Sequence, residues 1–204
     1  MGNLMEWYDF GIYGYLAATM TKVFQPEGGD DSTKMIITFA VFAVSFLARP
    51  FGGLVFGPLG DKIGRQKTLA ITMLAMSIAT GAIGLLPSFS TAGWWAFAGL
   101  IICRLIQGFS TGGEYSGATT FVSEYSPDKR RGYFSSFLDT GSYLGFAVGA
   151  AVVALFSIGL GSETMDDWGW RIPFLLALPF GLLAMYFRMK IDESPTFENT
   201  QAAN

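Results

Sequence analysis

Six ionisable side chains, Glu6, Asp9, Arg49, Arg104, Glu114 and Asp139, lie within stretches that are otherwise apolar. A charge at bilayer depth costs at least ~3 kcal/mol on insertion scales, so such groups face protein or water and usually serve a pathway or a pair. The chain contains no histidine, which leaves carboxylates to exchange a proton near neutrality. Glu6 and Asp9 are three residues apart and Tyr13 follows four later, so a helix sets all three on adjoining faces as an acidic and aromatic wall. Arg104 and Glu114 stand ten residues apart, about 15 Å along a straight helix. Each therefore needs a partner from another helix or from water. The functional reading is that Glu114 exchanges a proton, with Glu6 and Asp9 as alternates, while Arg104 tunes its affinity. A fixed ion pair holding helices together is the structural alternative. Arg49 and Asp139, near span ends, read as structural, and Arg171 as a side chain that snorkels to the interface. A single cysteine, Cys103, supplies neither a disulfide framework nor a cysteine-rich metal site. No metal ligand set and no organic cofactor are expected; the proton is the only coupling ion.

The elements that must position these groups are membrane spans. Hydrophobic side chains make up 51% of the 204 residues and charged ones 14%, against ~25% charged in a soluble domain, and the mean hydropathy is +0.41. A soluble enzyme is excluded on this ground. Apolar windows near the ~20 residues that cross a bilayer fall at 5–24, 35–57, 68–87, 94–122, 133–158 and 170–189. The first is not a cleavable signal, because it lacks a basic start and carries Glu6 and Asp9. Lys62, Arg65, Lys67, Lys129, Arg130, Arg131, Arg188 and Lys190 are eight of the thirteen bases and all lie on one side. The positive-inside rule makes that side, with both termini, cytoplasmic. The net charge of −3 and the scatter of bases through loops give no nucleic-acid face. Gly108, Gly112 and Ser116, and again Gly141, Gly145 and Gly149, recur every four residues, a spacing that lets helix backbones approach closely.

Six crossings divide into two sets of three, the unit that transporters use as inverted repeats. The first span of each set combines an acid, aromatics and glycines, "EWYDFGIYG" and "GFSTGGEYSG", a faint internal symmetry. The stretch "GPLGDKIGRQKT" lacks P-loop spacing and falls between two spans. Running from Gly57 through Asp61, Gly64 and Arg65 to Lys67, it resembles instead the signature of the major facilitator superfamily, departing at Thr68 where a further base is common. "RLIQGFSTGGEYSGATTFVSEYSPDKRRG" resembles the fourth-span motif of that family, and "DESPTF" the pattern after span six, with Asp192 and Thr196 as departures. "GNLMEWYDFGIYG", "FLARPFGGLVFGPLGDKIGRQKTLAI" and "DWGWRIPF" carry a finer resemblance to the metabolite:proton symporter branch, and within it to its osmoprotectant carriers.

The resemblance implies an all-α integral membrane fold equivalent to the N-terminal half of a twelve-helix transporter. Residues 1–189 would be the six-helix bundle and 190–204 the start of a central cytoplasmic linker. It implies a transporter of the cell membrane, not an enzyme, importing proline or glycine betaine with a proton by alternating access. A cation beside a carboxylate is the chemistry of such cargo, and aromatic rings attract the cation; Trp7, Tyr8, Tyr13 and Tyr115 are the rings nearest the acids. In the family, residues placed as Gly57, Asp61, Gly64, Arg65, Glu124 and Arg131 form a cytoplasmic gate. The partners implied are a small osmolyte or metabolite, the lipid bilayer, and a missing C-terminal half or a second copy of the chain. Two alternatives stand beside this reading: the same family with a dicarboxylate, shikimate or sugar as cargo, and a half-length membrane scaffold working as a homodimer.

Overall fold

A computed structural model describes residues 2–190, with the side chains of Tyr115, Ser116, Gly117, Thr120, Phe121, Glu124, Tyr125 and Asp128 outside that description. Six helical rods run back and forth. The first is α1 (Gly2–Tyr15) and α2 (Ala17–Phe24), separated only at Leu16. Then come α3 (Asp31–Ile63), α4 (Arg65–Leu85), a short α5 (Phe89–Ala92), α6 (Trp94–Tyr125) and α7 (Arg131–Leu160). The sixth rod is composite: α8 (Ser162–Thr164), a π turn over Met165–Gly169, α9 (Arg171–Leu175) and α10 (Ala177–Met189). α3, α6 and α7 hold 33, 32 and 30 residues, longer than a bilayer core requires, so their ends project beyond the apolar windows read from sequence.

The breaks have local causes. Pro173 offers no N–H to the Gly169 carbonyl and its ring crowds that turn, and the turn ahead of it widens into the π form. Pro179 acts similarly on α10, which begins after Leu176. α3 and α4 are joined by Gly64 alone, whose φ of +98° and ψ of 146° suit glycine. The Gly64 N–H donates to the Gly60 carbonyl at 3.1 Å and its own carbonyl accepts from the Thr68 hydroxyl at 2.9 Å. The threonine that departs from the family signature thus closes the turn.

Packing follows a two-fold plan. The second rod packs on the fourth, α3 on α6, and the fifth on the first, α7 on α1; the third and sixth rods, α4 with α9 and α10, meet across the centre. Exchanging the first three rods for the last three maps this set of pairings onto itself, as inverted repeats require. Glycines set the distances. A Cβ on Gly108 or Gly112 would overlap the backbone of Ser45 or Arg49, and one on Gly52 the backbone of Phe109. In the α1–α7 pair, Gly145 meets the backbone of Leu4 and Gly149 lies against Tyr8 and Ile12. Glycine spacing read as packing is therefore packing between backbones. Cys103 is a buried wall residue.

At the end opposite Gly64, Arg171 donates from Nη1 to the carbonyls of Gly84 and Leu86 at 2.9 and 2.7 Å. It satisfies the last turn of α4 instead of only snorkelling outward. Nearby, Asp166 joins the π turn to α2, accepting from Lys22 at 2.5 Å and Thr19 at 2.7 Å. Partial desolvation would raise the Asp166 pKa, but these hydrogen bonds and the Lys22 charge outweigh it and hold the carboxyl below the ordinary 3.8. A lowered acid stabilises the fold above 3.8 and loses that contribution as pH falls through its folded value. Acidification below about pH 4 is expected to lower the melting temperature more in the parent than in Lys22→Met, by the ~0.2–1 kcal/mol of an exposed pair. Equal acid sensitivity of the two proteins would remove the tie.

Candidate functional site

Two polar stripes face each other in the middle of the bundle. On α1 the stripe is Glu6, Asp9 and Tyr13, and on α6 it is Arg104, Gln107, Thr111 and Glu114; all seven are buried. The spacing of three and four along each helix places them on one side. The surroundings are apolar rods, so each charge needs an opposite charge or a hydrogen bond from a neighbouring helix.

Two ion pairs meet that need. Arg104, fully buried, places Nη1 at 3.3 Å from Asp9 Oδ2. Its guanidinium carbon lies 3.8 Å over the Tyr13 ring and 5.7 Å from that of Phe42, a cation–π arrangement that adds ring attraction to the ion pair. Arg49 reaches from α3 to Glu6, Nη2 to Oε1 at 2.8 Å, and its guanidinium carbon sits 4.4 Å from the Phe46 ring and 4.9 Å from that of Phe10. Neutral groups fill the space around them. Gln107 donates to Thr80 at 2.9 Å, Thr111 to the Met76 sulfur at 3.7 Å, and the Tyr13 hydroxyl to the Thr38 carbonyl at 3.1 Å.

Glu114 stands apart from both pairs. Arg104, expected from sequence to tune it, is committed to Asp9, and among the described residues the charged groups within electrostatic reach of Glu114 are Glu6 and Arg188. Its Oε2 makes no hydrogen bond to any described residue. The carboxylate borders a cavity of about 210 Å³ whose lining includes Gly2, Asn3, Leu69, Leu138 and Arg188. A Cβ on Gly2 would overlap that carboxylate, so the start of α1 is packed directly on the acid. Asn3 holds the start of α1 to α7, its amide donating to the Leu138 carbonyl and, at 2.7 Å, to Ser142.

The aromatic residues picked out from sequence do not converge. Tyr13 lies against Arg104, while Tyr8 donates to the Pro173 carbonyl at 2.6 Å and meets Phe180 edge-on. Trp7 leans on Phe146 of α7, ring centroids 5.0 Å apart. The Tyr115 side chain lies outside the described residues. Successive residues of α1 necessarily point about 100° apart, which separates Trp7 from Tyr8.

At the signature loop, Asp61 at the end of α3 and Arg65 at the start of α4 pair at 3.8 Å across the Gly64 turn, and Gln66 donates to the Met189 carbonyl at 3.2 Å, tying α4 to α10. Gly57 faces open space and Arg131, exposed, begins α7. The Glu124 side chain and the segment with Asp192 and Thr196 lie outside the described residues. Gln107, Thr111, Thr80 and Arg49 belong to the central network and were passed over or set aside by sequence reasoning. For Gln107 the signal was present, since 104, 107, 111 and 114 form one helical stripe.

Six helical rods in two inverted triplets, five of them long and apolar enough to cross a membrane, packed around a cluster of acids and guanidiniums, have the fold of the N-terminal half of a major facilitator transporter. The fold agrees with the solved proton:xylose symporter XylE bound to 6-bromo-6-deoxy-D-glucose, at a TM-score of 0.87 and 19% identity, over 98% of this chain and 44% of that one. An inward-open xylose transporter XylE from E. coli matches at 0.78 and 19%, over 96% and 47%. The chain belongs to the sugar (and other) transporter family, whose model matches residues 1–202. It is 56% identical to the ectoine/proline transporter of Corynebacterium glutamicum, covering 98% of this chain and 40% of that protein. Against the proline/betaine transporter of Escherichia coli K12 the identity is 55%, covering 97% and 39%. The chain thus spans about 40% of the length of these relatives.

Proposed function

We propose that the chain forms the N-terminal half of a proton-coupled importer of small zwitterionic osmolytes such as proline or glycine betaine. Residues 1–189 make the moving bundle and 190–204 open the linker to a second six-span half, with both termini cytoplasmic. The bundle rocks against that half so that cargo and proton reach one side and then the other. Glu6, Asp9 and Glu114 are the candidates for the proton, Arg104 the cation that governs Asp9, and Tyr13 a ring beside the path. Asp61, Arg65 and Arg131, with Gly57, Gly64 and Glu124, form the cytoplasmic gate, where weak exposed pairs suit contacts remade in every cycle.

One observation carries the reading: buried carboxylates in the middle of an apolar bundle, two held by guanidiniums from other helices, in a chain 53–56% identical to proteins named as proline, betaine and ectoine transporters. The test uses the full-length protein in proteoliposomes with an imposed pH gradient and labelled proline. Uphill accumulation that collapses with the gradient and is competed by betaine and ectoine is expected. Equal uptake without the gradient, or competition by 2-oxoglutarate or glucose instead, would overturn the coupling or the cargo respectively.

A further inference from the structure

The two ion pairs differ in one respect that matters for cargo. In Asp9–Arg104 both side chains are sealed, 4% and 0% exposed, whereas in Glu6–Arg49 the acid is 2% exposed and the arginine 25%. A solute coming from outside the bundle therefore meets Arg49 before it meets Glu6. Arg49 opens onto a depression of about 570 Å³ lined by Phe46, Pro50, Gly53, Leu54 and Thr111, within the roughly 300–1,000 Å³ of small-molecule sites. Nη2 lies 2.8 Å from one oxygen of Glu6, while Nε, itself enclosed, makes no hydrogen bond to any described residue, so this edge of the fork reaches a carboxylate only by turning toward the depression. A guanidinium fork binds both oxygens of a carboxylate in parallel, and the rings of Phe10 and Phe46 hold this one in place.

We propose that Arg49 is the anchor for the cargo carboxylate, and that binding displaces Glu6, which then takes the coupling proton. This deepens the symport reading above and rests on it. Charge balances through the step. Before it, Arg49 neutralises the Glu6 carboxylate; after it, Arg49 neutralises the cargo carboxylate, the proton adds to a Glu6 oxygen, and the cargo keeps its own cation. Glu6 cannot remain ionised once deserted. Among the described residues its charged surroundings are Asp9 on its own helix (already paired with Arg104), Glu114 from α6 and Arg49 from α3, with Arg188 of α10 beyond Glu114, so without Arg49 it has no cation of its own inside an apolar bundle, where an unpaired charge is neutralised. One cargo molecule thereby carries one proton.

The test compares Arg49→Lys and Glu6→Gln with the parent, all full-length in proteoliposomes, by labelled proline. Three readouts are taken: half-saturating concentration, proline exchange without a gradient, and accumulation under an imposed gradient. Lysine keeps the charge but loses the fork, so Arg49→Lys is expected to raise half-saturation about tenfold, the size of one charge-assisted hydrogen bond. Glu6→Gln removes the competitor: exchange persists, half-saturation falls and no longer varies with pH, and accumulation drops to equilibration. Unchanged half-saturation in Arg49→Lys, or continued uphill accumulation in Glu6→Gln, would overturn the proposal. A parent protein that moves no proline would instead overturn the function above. Should Glu6→Gln fail to fold, proton uptake by the detergent-solubilised parent on adding proline decides the matter: about one proton per proline bound is expected by linkage, and none refutes the exchange.

Discussion

Replacing Gly108 by valine is expected to be the most damaging single change in the bundle, costing about 3 kcal/mol or more and leaving little monodisperse protein in detergent. A Cβ there falls on the Ser45 backbone, leaving no flexible neighbour to yield. Accommodating it means prying α3 from α6 along a seam that also includes Gly52 and Gly112. Overpacking a core with room to adjust costs ~1–3 kcal/mol, and a backbone-to-backbone seam has less room. Gly159→Ala is the control, since nothing lies within 4 Å of its Cβ position; it should be neutral or slightly stabilising through helix propensity. The comparison is made by thermal unfolding of the full-length protein in detergent. Equal melting of Gly108→Val and Gly159→Ala would mean that the two helices do not touch through their backbones.

The second large effect is expected at the sealed pair. Arg104→Gln leaves the Asp9 carboxylate buried without its cation, and Asp9→Asn leaves the guanidinium without its anion; each is expected to cost roughly 3–5 kcal/mol. The double variant Asp9→Asn/Arg104→Gln removes both charges together and should recover most of that loss, because burying two neutral amides avoids the desolvation of two ions. A double-mutant cycle on thermal stability measures the coupling, and additive single losses would show that the pair is not energetically linked. Proton-driven accumulation in the stable double variant then separates the two roles: retained, the sealed pair is structural and the proton is taken at Glu6; lost, Asp9 and Arg104 belong to the transport path.

How much of this was legible beforehand depends on the kind of interaction. Charges inside apolar windows stand out singly, because each is costly in lipid wherever the helices go; Glu6, Asp9, Arg104 and Glu114 needed no neighbours to be noticed. Their pairing was not legible. Arg104 finds Asp9, 95 residues away in sequence, and Arg49, read as structural, turns out to hold Glu6 and to open onto the depression. The glycine repeats predicted close contact but not the partner, since Gly108 and Gly145 follow the same spacing rule against different helices.

By itself the sequence marked six apolar windows, of which five become helices long and apolar enough to cross a membrane among the described residues, a charge bias shared by one set of loops, and the burial of Glu6, Asp9 and Glu114. It also set Asp139 among the in-membrane charges, where the structure leaves it exposed. Hydropathy, loop charge and helical spacing are local quantities, summed over tens of residues at most. The tertiary structure alone decided which cation meets which acid, that the rings of Trp7, Tyr8 and Tyr13 diverge, and that Arg49 is reachable while Arg104 is sealed. Those outcomes depend on the rotation of one rod about its axis relative to its neighbour. That rotation is set where glycine backbones interlock, between residues far apart in the chain.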